Sequence, residues 1–313
     1  MIVALAGGVG GAKMAFGLSR VLPPDRLTII VNTADDFEHL GLHVAPDLDT
    51  VMYTLAGLAN PETGWGLAGE TWGFMSAIER LGGPSWFRLG DHDIATHVLR
   101  TERLRAGERL TEVTAELCAA LGIRCAVLPM SDDPVRTMVE TPTGVLPFQE
   151  YFVHLKCEPA VRGFRFEGAA TAKPSEQALA ALAAAEAIVL CPSNPFVSIA
   201  PIFAVPGLDK AIRTAKAPIV AVSPIIGGAA VKGPAAKMMQ ELGLDVSVVG
   251  IASHYRKLVD GLVLDEADAA LVPAVEAMGL RGAVMPTLMR NDADRIRLAQ
   301  ATLDWVRGWT SAS

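Results

Sequence analysis

The sequence predicts an α/β protein: a Rossmann-like, mostly parallel sheet flanked by helices, with a smaller inserted subdomain. Short apolar runs of strand length recur along the 313 residues and alternate with segments of helical periodicity. Most of these runs end in small or polar residues, as strands do at the ligand-binding edge of an open α/β sheet. Between about residues 60 and 170 the pattern changes to helices and a hairpin. We therefore predict one domain over residues 1–313, with a core of about 1–60 and 170–313 around an insertion of about 60–170.

The chain begins with a buried-strand pattern, Ile2–Ala6, which runs into a glycine-rich turn and then a helix. Glycine lets backbone N–H groups approach an anion, and a helix N-terminus adds unpaired N–H donors and a positive dipole end. The pattern therefore predicts a phosphate or nucleotide site formed by Gly7, Gly8, Gly10, Gly11 and Lys13. It lacks the Gly-Lys-Ser/Thr of a Walker A loop and the third glycine of GxGxxG. The alternative is a tight turn without a ligand.

The second strand pattern, Leu27–Val31, ends in polar residues that include Asp35 and Asp36. These carboxylates either bind a ligand at the strand end or serve as a helix cap or turn, and both alternatives remain open. A helix start follows, with Asp47 and Asp49 in its first turn. Two nearby carboxylates suit Mg²⁺, which prefers oxygen ligands, so the sequence predicts magnesium binding by Asp47 and Asp49.

Helical spacing then dominates residues 60–125, with predicted helices over 70–81 and 94–104. The loop between these helices carries Trp86, Arg88 and Asp91. An aromatic ring, a cation and a carboxylate in one short loop suit a planar ligand with polar edges. The alternative is a turn in which Asp91 caps the next helix.

The rest of the chain returns to short strands and helices. The predicted elements are strands at 124–130 and 162–169 with a hairpin about 142–144 between them, a helix at 176–185, strands at 187–191, 218–223, 262–264 and 283–285, and helices at 268–278 and from 292. Ser193 and Asn194 follow one strand end, and Gly227, Gly228 and Lys232 follow another. These small, polar and basic residues occupy the same kind of position as the opening loop.

Composition excludes several function classes. A net charge of −7 and a pI of about 5.4 argue against a nucleic-acid partner. The four cysteines show no metal-ligand or C-x-x-C spacing and fit buried thiols in a reducing compartment. Neither a signal-peptide pattern nor an uninterrupted apolar run of membrane length occurs. We therefore expect a cytoplasmic protein that binds neither nucleic acid nor membranes.

Several stretches together resemble the CofD family of 2-phospho-L-lactate transferases, which act in coenzyme F-420 biosynthesis. The matching stretches are AGGVGGAKMAFGL, VNTADDFEHLGLHVAPDLDTVMYTLAG, ETWGF, WFRLGDHDIATH, PSNPFVSIAPI and SPIIGGAAVKGPAAKMM. They occur in order over most of the chain. The resemblance implies a Rossmann-like fold with an inserted subdomain over the acceptor, and a homodimer.

The resemblance also implies the reaction. A phospholactyl-type group (2-phospholactate, phosphoenolpyruvate or 3-phosphoglycerate) passes from a guanylylated diphosphate donor to the deazaflavin Fo, releasing GMP with the help of Mg²⁺. It places the donor on Gly7, Gly8, Gly10, Gly11, Lys13, Ser193, Asn194, Gly227, Gly228 and Lys232. It places Fo on Asp49 and Arg88, and Trp86 and Asp91 lie in the same loop as Arg88. Lys13 and Asp49 are the expected catalytic residues, and Asp47 and Asp49 the expected magnesium ligands.

Two other functions are weighed against this transferase. Some CofD-like proteins are regulators that bind nucleotide-sugars on the same scaffold, but DLDTVMYTL, ETWGF and WFRLGDHDIATH favour the transferase because they form the acceptor half. A Rossmann oxidoreductase is disfavoured by the incomplete GxGxxG and by the absence of a clearly placed acidic ribose partner. The sequence leaves the three-carbon acid of the donor open.

Overall fold

The computed structural model describes residues 1–310. In chain order the strands and helices are β1 (Ile2–Ala6), α1 (Gly8–Val21), β2 (Leu27–Val31), β3 (Phe37–His39), β4 (Leu42–Val44), α2 (Pro46–Ala56), α3 (Gly73–Arg80), α4 (Asp91–Arg105), α5 (Leu110–Ala120), β5 (Ala126–Pro129), β6 (Arg136–Thr141), β7 (Gly144–Pro147), β8 (Gly163–Glu167), α6 (Glu176–Ala183), β9 (Ala187–Leu190), α7 (Ala200–Ala204), α8 (Pro206–Thr214), β10 (Ile219–Val222), β11 (Ile225–Ile226), β12 (Ala229–Ala230), α9 (Ala235–Glu241), α10 (Val248–Tyr255), β13 (Gly261–Leu264), α11 (Val272–Glu276), β14 (Arg281–Val284) and α12 (Asp292–Thr310). Short π-helical turns occupy Glu150–His154 and Pro195–Ile199.

The central element is a parallel sheet with the strand order β14-β13-β10-β9-β1-β2-β5. Every pairing within it is parallel, which confirms the predicted α/β fold class and sharpens "mostly parallel" to parallel throughout. The order runs outwards from β1 to β2 and β5 on one side and from β9 to β14 on the other. The switch point between β1 and β9 is where doubly wound sheets bind their ligands, at the carboxyl ends of the strands.

Most of the sheet is buried on both faces, because β1, β2, β9, β10 and β13 are almost entirely apolar and are buried at every position. In β1, Val3 and Leu5 face a core that also contains residues of α6, α8, α9 and α10. Ile2, Ala4 and Ala6 face the opposite core, which contains residues of α1, α2, α5 and α12. This continuous apolar pattern is typical of parallel strands covered by two helical layers, and it fixes where the glycine-rich turn after β1 emerges.

The segment predicted as an insertion, about 60–170, does not lie wholly outside the main sheet. β5 pairs in parallel with β2 at its edge, with Val127 opposite Ile29. Along the chain, helices α3–α5 come before β5, and the strands of a separate antiparallel sheet of order β7-β6-β8 come after it. A main-sheet strand therefore splits the predicted insertion in two. The division into core and inserted parts otherwise stays a prediction.

Three local predictions need correction. Helix α1 begins at Gly8, so the glycines form the first turn of the helix rather than a turn before it. A hairpin, β3–β4, was not predicted because its strands have only three residues each. After the hairpin turn near 142–144, the second strand already ends at Pro147, and residues 150–154 form a π-helical turn that was not predicted.

Helix length and composition also bear on membrane spans. Among the described residues no single helix is both long and apolar enough to cross a membrane. The bent pair Pro195–Ala204 and Pro206–Thr214 meets the criterion only when both segments are taken together, with an angle of 91° between them.

Candidate active site

The first part of the site is the contact between β1 and β9 at the switch point. The Ser193 hydroxyl accepts a hydrogen bond from Gly7 N over 3.2 Å and donates one to the Gly7 carbonyl oxygen over 2.8 Å. The chain segments are so close here that a Cβ on Gly10 would overlap the Pro192 carbonyl, and one on Gly11 would lie 2.5 Å from Ser193 Oγ. Glycine is therefore required at both positions, and the structure brings the glycines after β1 into contact with Ser193 after β9.

The N-terminus of α1 is closed by a carboxylate from α2. Gly8 has a φ of +60°, which glycine adopts readily, and its N–H donates to Asp47 Oδ1 over 2.8 Å. Asn32 donates from Nδ2 to the other oxygen, Oδ2, over 2.9 Å. Asp47 therefore lies at the positive end of the α1 dipole, where the sequence predicts a phosphate.

Asp47 belongs to a group of buried acids at the end of β2. Asp35 is 4% exposed and Asp36 2% exposed, and each keeps one carboxylate oxygen without a hydrogen-bond partner. Burial raises the pKa of Asp47 to about 6, and burial followed by repulsion from Asp47 raises the pKa of Asp35 well above its ordinary value. Asp36 also has a raised pKa because it is buried, although His43 Nε2 lies 3.1 Å from its Oδ2.

Asp49 faces different partners from Asp47. The Arg100 guanidinium pairs with both of its oxygens, Nη1 donating to Oδ2 over 3.1 Å and Nη2 to Oδ1. His97 Nδ1 lies 3.7 Å from Asp49 Oδ2, and ligand atoms of Asp49, Asp93 and His97 lie within 4.8 Å of one another. The Arg100 guanidinium places a positive charge directly beside the Asp49 carboxylate. Asp49, Asp93 and His97 therefore belong to an ion-pair network and form an unfavourable site for a metal cation.

Lys13 and Lys232 both contact backbone carbonyls. Lys13 Nζ donates to the Met289 carbonyl oxygen over 3.0 Å, and Lys232 Nζ donates to that of Thr63. Partial burial lowers the pKa of Lys13, and the positive charges of Arg295 and Lys232 lower it further. Sequence reasoning missed Arg295, because nothing local indicates that α12 packs along α1 and brings this cation near Lys13.

The other predicted nucleotide residues hold turns in place. Asn194 Oδ1 accepts from Phe196 N over 2.9 Å and so caps the π-helical turn at Pro195–Ile199. Gly227 and Gly228 have φ values of +56° and +77° and form the two-residue turn between β11 and β12. Gly227 N donates to Asp268 Oδ2 over 2.9 Å, a buried partner that the sequence pattern did not indicate.

The predicted acceptor loop forms an aromatic cluster. Trp86 stacks on His154 with ring centroids 5.3 Å apart and an interplanar angle of 16°, and it meets His39 edge to face at 5.2 Å. Arg88 is exposed and lies over the Trp72 ring, 4.2 Å from its centroid. The loop therefore places Trp86 in an aromatic cluster, where it stacks on His154, and Arg88 stacks on the Trp72 ring. That this loop binds a planar ligand stays a prediction.

Asp91 serves as a cap. Its Oδ2 accepts from Thr71 Oγ1 over 2.5 Å and from Gly73 N over 2.9 Å, and its Oδ1 accepts from Phe74 N over 2.9 Å. These hydrogen bonds lower the pKa of Asp91. It therefore caps α3 from the first turn of α4, whereas the sequence alternative had it capping the following helix. Glu70 caps α4 in return, accepting from His92 N and Asp93 N over 2.8 Å each.

The described site lies almost entirely within the part of the chain that matches a known family. The family model described as "2-phospho-L-lactate transferase CofD" matches residues 2–287. The chain belongs to the CofD family. Of the site residues above, only Met289 and Arg295 lie beyond this match.

Similar proteins span almost the whole chain. It is 46% identical to "Phosphoenolpyruvate transferase" of Kitasatospora aureofaciens, covering 98% of each chain. It is 45% identical to "Phosphoenolpyruvate transferase" of Streptomyces griseus, covering 94% of each. It is 39% identical to "2-phospho-L-lactate transferase" of Methanosarcina mazei, covering 96% of this chain and 98% of that one.

Solved structures share the fold. The crystal structure of protein BH3568 from Bacillus halodurans, a member of the UPF0052 family, aligns with a TM-score of 0.62, covering 96% of this chain and 98% of that chain. At 18% identity this similarity shows a shared α/β fold and nothing about the reaction.

Proposed function

We propose that this CofD-family protein is a transferase that moves a phosphoenolpyruvyl group from a guanylylated diphosphate donor to the deazaflavin Fo, releasing GMP, in coenzyme F-420 biosynthesis. The observation that carries the proposal is the family match over residues 2–287, which includes both the glycine-rich donor loop and the acceptor stretches around Asp49 and Trp86. Nothing specific favours the nucleotide-sugar-binding regulator.

We choose the three-carbon acid of the donor by comparing the sequence identities of two groups of relatives. Four relatives named "Phosphoenolpyruvate transferase" are 43–46% identical to this chain, and four named "2-phospho-L-lactate transferase" are 38–40% identical. The acids differ by one small group, which changes binding by about 1–3 kcal/mol in an apolar pocket. We therefore propose phosphoenolpyruvate, with 2-phospholactate and 3-phosphoglycerate as the competitors to test.

The donor half of the proposed site is the switch point. The N-terminus of α1 presents the backbone of Gly7, Gly8, Gly10 and Gly11, opposite the Ser193 hydroxyl. Phosphoryl transfer needs in-line positioning and neutralisation of charge more than covalent help from the protein. We propose that Lys13 and Lys232 exchange their present carbonyl partners for phosphate oxygens. Asn194, Gly227 and Gly228 would shape the turns that bind the rest of the nucleotide.

The buried acids at the end of β2 offer oxygen ligands for a magnesium ion. Asp35 and Asp36 each carry a buried carboxylate oxygen without a partner, and Asp35 and Asp47 repel each other. Hard divalent cations bind such oxygen ligands. Arg100 already binds both carboxylate oxygens of Asp49. We therefore propose Asp35 and Asp47 as the magnesium ligands, with Asp36 beside them, in place of the predicted pair Asp47 and Asp49. Bound there, Mg²⁺ would neutralise charge on the diphosphate.

The acceptor half of the proposed site is Asp49 with the aromatic loop. The acceptor hydroxyl oxygen bonds to the phosphorus that carries the three-carbon acid, and the bond from that phosphorus to GMP breaks. Asp49 accepts a hydrogen bond from this hydroxyl and takes its proton as the bond to phosphorus forms, the proton then passes to solvent, and GMP leaves with the electron pair of the broken bond. Trp86 would provide a face for the flat ring. Arg88 would reach the ring by leaving Trp72, and Asp91 would support the loop through its cap on α3.

The decisive experiment offers the purified protein equal concentrations of the three guanylylated donors with Fo and Mg²⁺. Mass spectrometry of the products should show mainly the phosphoenolpyruvyl adduct of Fo, with GMP formed in equal amount. A dominant adduct of another acid would correct the donor. No adduct, together with binding of a nucleotide-sugar, would replace the transferase by the regulator. The proposed homodimer is checked separately by light scattering.

A further inference from the structure

Arg100 is an arginine in an unusual environment. It lies on α4, its side chain is fully buried, and it is among the largest buried side chains of the described chain. A buried charge is costly unless it is paired and hydrogen-bonded. Its partners therefore explain why this position holds an arginine.

The partner is the proposed acceptor residue Asp49. The two terminal nitrogens of Arg100 bind the two oxygens of Asp49 in a fork, and Nη1 also lies 3.5 Å from the His43 carbonyl oxygen. A bidentate arginine fixes both the position and the plane of a carboxylate. A lysine, with one point charge, fixes only the distance.

Further buried side chains contact the Arg100–Asp49 pair or each other. His97 Nδ1 lies 3.4 Å from Arg100 Nη1, and its Nε2 lies 3.3 Å from Asp93 Oδ2. Although burial acts in the opposite direction, His97 holds the pKa of Asp93 below its ordinary value. Tyr53 donates to Asp93 Oδ1 over 2.5 Å, and its pKa is raised by burial and by the nearby carboxylates, so it remains a donor. The network ties α4 to α2, which carries both Tyr53 and Asp49.

We propose that Arg100 is a positioning residue of the acceptor half-site. This inference rests on the proposed function, in which Asp49 receives the hydrogen bond of the Fo hydroxyl. Each carboxylate oxygen has two lone-pair directions, and Arg100 occupies one on each. The fork therefore prevents rotation of the carboxylate and leaves its remaining lone pairs in fixed directions for the acceptor. A reacting hydroxyl is then held in one orientation, which is where much of the rate of a transfer reaction arises.

A double-mutant cycle tests this coupling. The variants are Arg100→Lys, Asp49→Asn and the double variant, measured for Fo affinity by fluorescence, for GDP affinity by calorimetry and for kcat and KM. The matched control is Arg103→Lys on the same helix, whose arginine pairs with Glu108 and Glu116 near the surface. Arg100→Lys should weaken Fo binding and lower kcat/KM by about tenfold or more while GDP affinity stays within about twofold. In the Asp49→Asn background the same change should have almost no further effect.

The outcomes separate this inference from the proposed function. Fully additive effects in the cycle, an equal loss of GDP affinity, or Fo binding by Arg100→Lys as tight as that of the unmodified protein would each overturn the positioning role. No Fo binding by the unmodified protein would overturn the proposed function, and this inference with it. If Arg100→Lys does not fold, Arg100→Ala with added guanidinium ion replaces it. Fo binding that guanidinium restores supports the inference, and Fo binding that it leaves unchanged contradicts it.

Discussion

Asp47 Oδ1 accepts the backbone N–H of Gly8 over 2.8 Å, which places a carboxylate of α2 at the N-terminus of α1. This is the same N-terminus that the proposed donor phosphates occupy. A carboxylate and a diphosphate repel each other at such a distance unless a cation or a proton lies between them. The contact would therefore link the metal binding proposed for the buried acids to the nucleotide binding proposed for the glycine-rich turn.

The first prediction concerns this group of acids. Adding Mg²⁺ at about 100 times its Kd should raise the melting temperature of the protein by about 2–6 °C, because a ligand that binds only the folded state stabilises it. Asp35→Asn should abolish that rise, since an amide is a poorer ligand for a hard cation. Differential scanning fluorimetry with MgCl₂ or EDTA measures both. The control is Asp25→Asn, an exposed acid near the start of β2 that should keep the full rise.

The same variant has a second, opposite effect without metal. The pKa of Asp35 is raised in the folded state, so the folded protein binds this proton more tightly than the unfolded chain does. The destabilisation of the folded protein by ionised Asp35 is therefore absent below the ordinary pKa of 3.8 and grows as the pH rises above that value. In EDTA at pH 7–8, Asp35→Asn should melt at a higher temperature than the unmodified protein, and the difference should shrink towards pH 4. A lower melting temperature across this range would contradict the buried repulsion.

The second prediction concerns the cation of the donor loop. Lys13→Met should weaken GDP binding by roughly tenfold to a hundredfold, because a hydrogen bond to a charged group contributes about 1.5–3 kcal/mol. Calorimetry at fixed ionic strength measures the loss. Arg20→Met is the matched control: Arg20 lies on the same helix, is exposed and stacks on Phe16. Equal GDP affinity in the two variants would remove Lys13 from the phosphate site.

The main strands could be predicted from the sequence because their signal is local. Ile2–Ala6 and Leu27–Val31 are buried on both faces, so each is a continuous apolar run with polar ends, and both have the predicted bounds. The strand at Ala126–Pro129 was also predicted, but not its place in the main sheet. It pairs with β2, which lies about a hundred residues earlier, and no local pattern encodes such a pairing.

The candidate site shows the same limit. The glycines after β1 are visible in the sequence because close chain approach requires them. The partner of Asp49 is not visible, because an arginine on a charged helix such as α4 has the pattern of a surface residue until the fold brings α4 against α2. Arg295 lies near Lys13 for a comparable reason: α12 packs along α1 from the far end of the chain.

The third prediction concerns Asp91. Because its carboxylate accepts from Thr71, Gly73 and Phe74, Asp91→Ala should lower the melting temperature of the protein and leave GDP affinity unchanged. The pKa of Asp91 is lowered in the folded state, so its contribution is present above the ordinary value of 3.8 and is lost as the pH falls below it. Glu79→Ala on the exposed side of α3 is the control. An unchanged melting temperature at pH 7 beside a large loss of Fo binding would make Asp91 a ligand contact rather than a cap.

The last prediction compares the two charged residues proposed for the acceptor. Fo fluorescence should be quenched or shifted by the protein in the presence of GDP and Mg²⁺. Asp49→Asn should weaken that binding by about tenfold or more, because Asn offers one acceptor oxygen where Asp offers two and cannot keep the fork with Arg100. Arg88→Ala should weaken it by less, since Arg88 is exposed and its partner in the structure is the Trp72 ring. GDP affinity should stay unchanged in both variants, because the donor loop and the acceptor loop are different parts of the chain. A larger loss in Arg88→Ala than in Asp49→Asn would mean that Arg88 leaves Trp72 and provides the main charge contact to the deazaflavin.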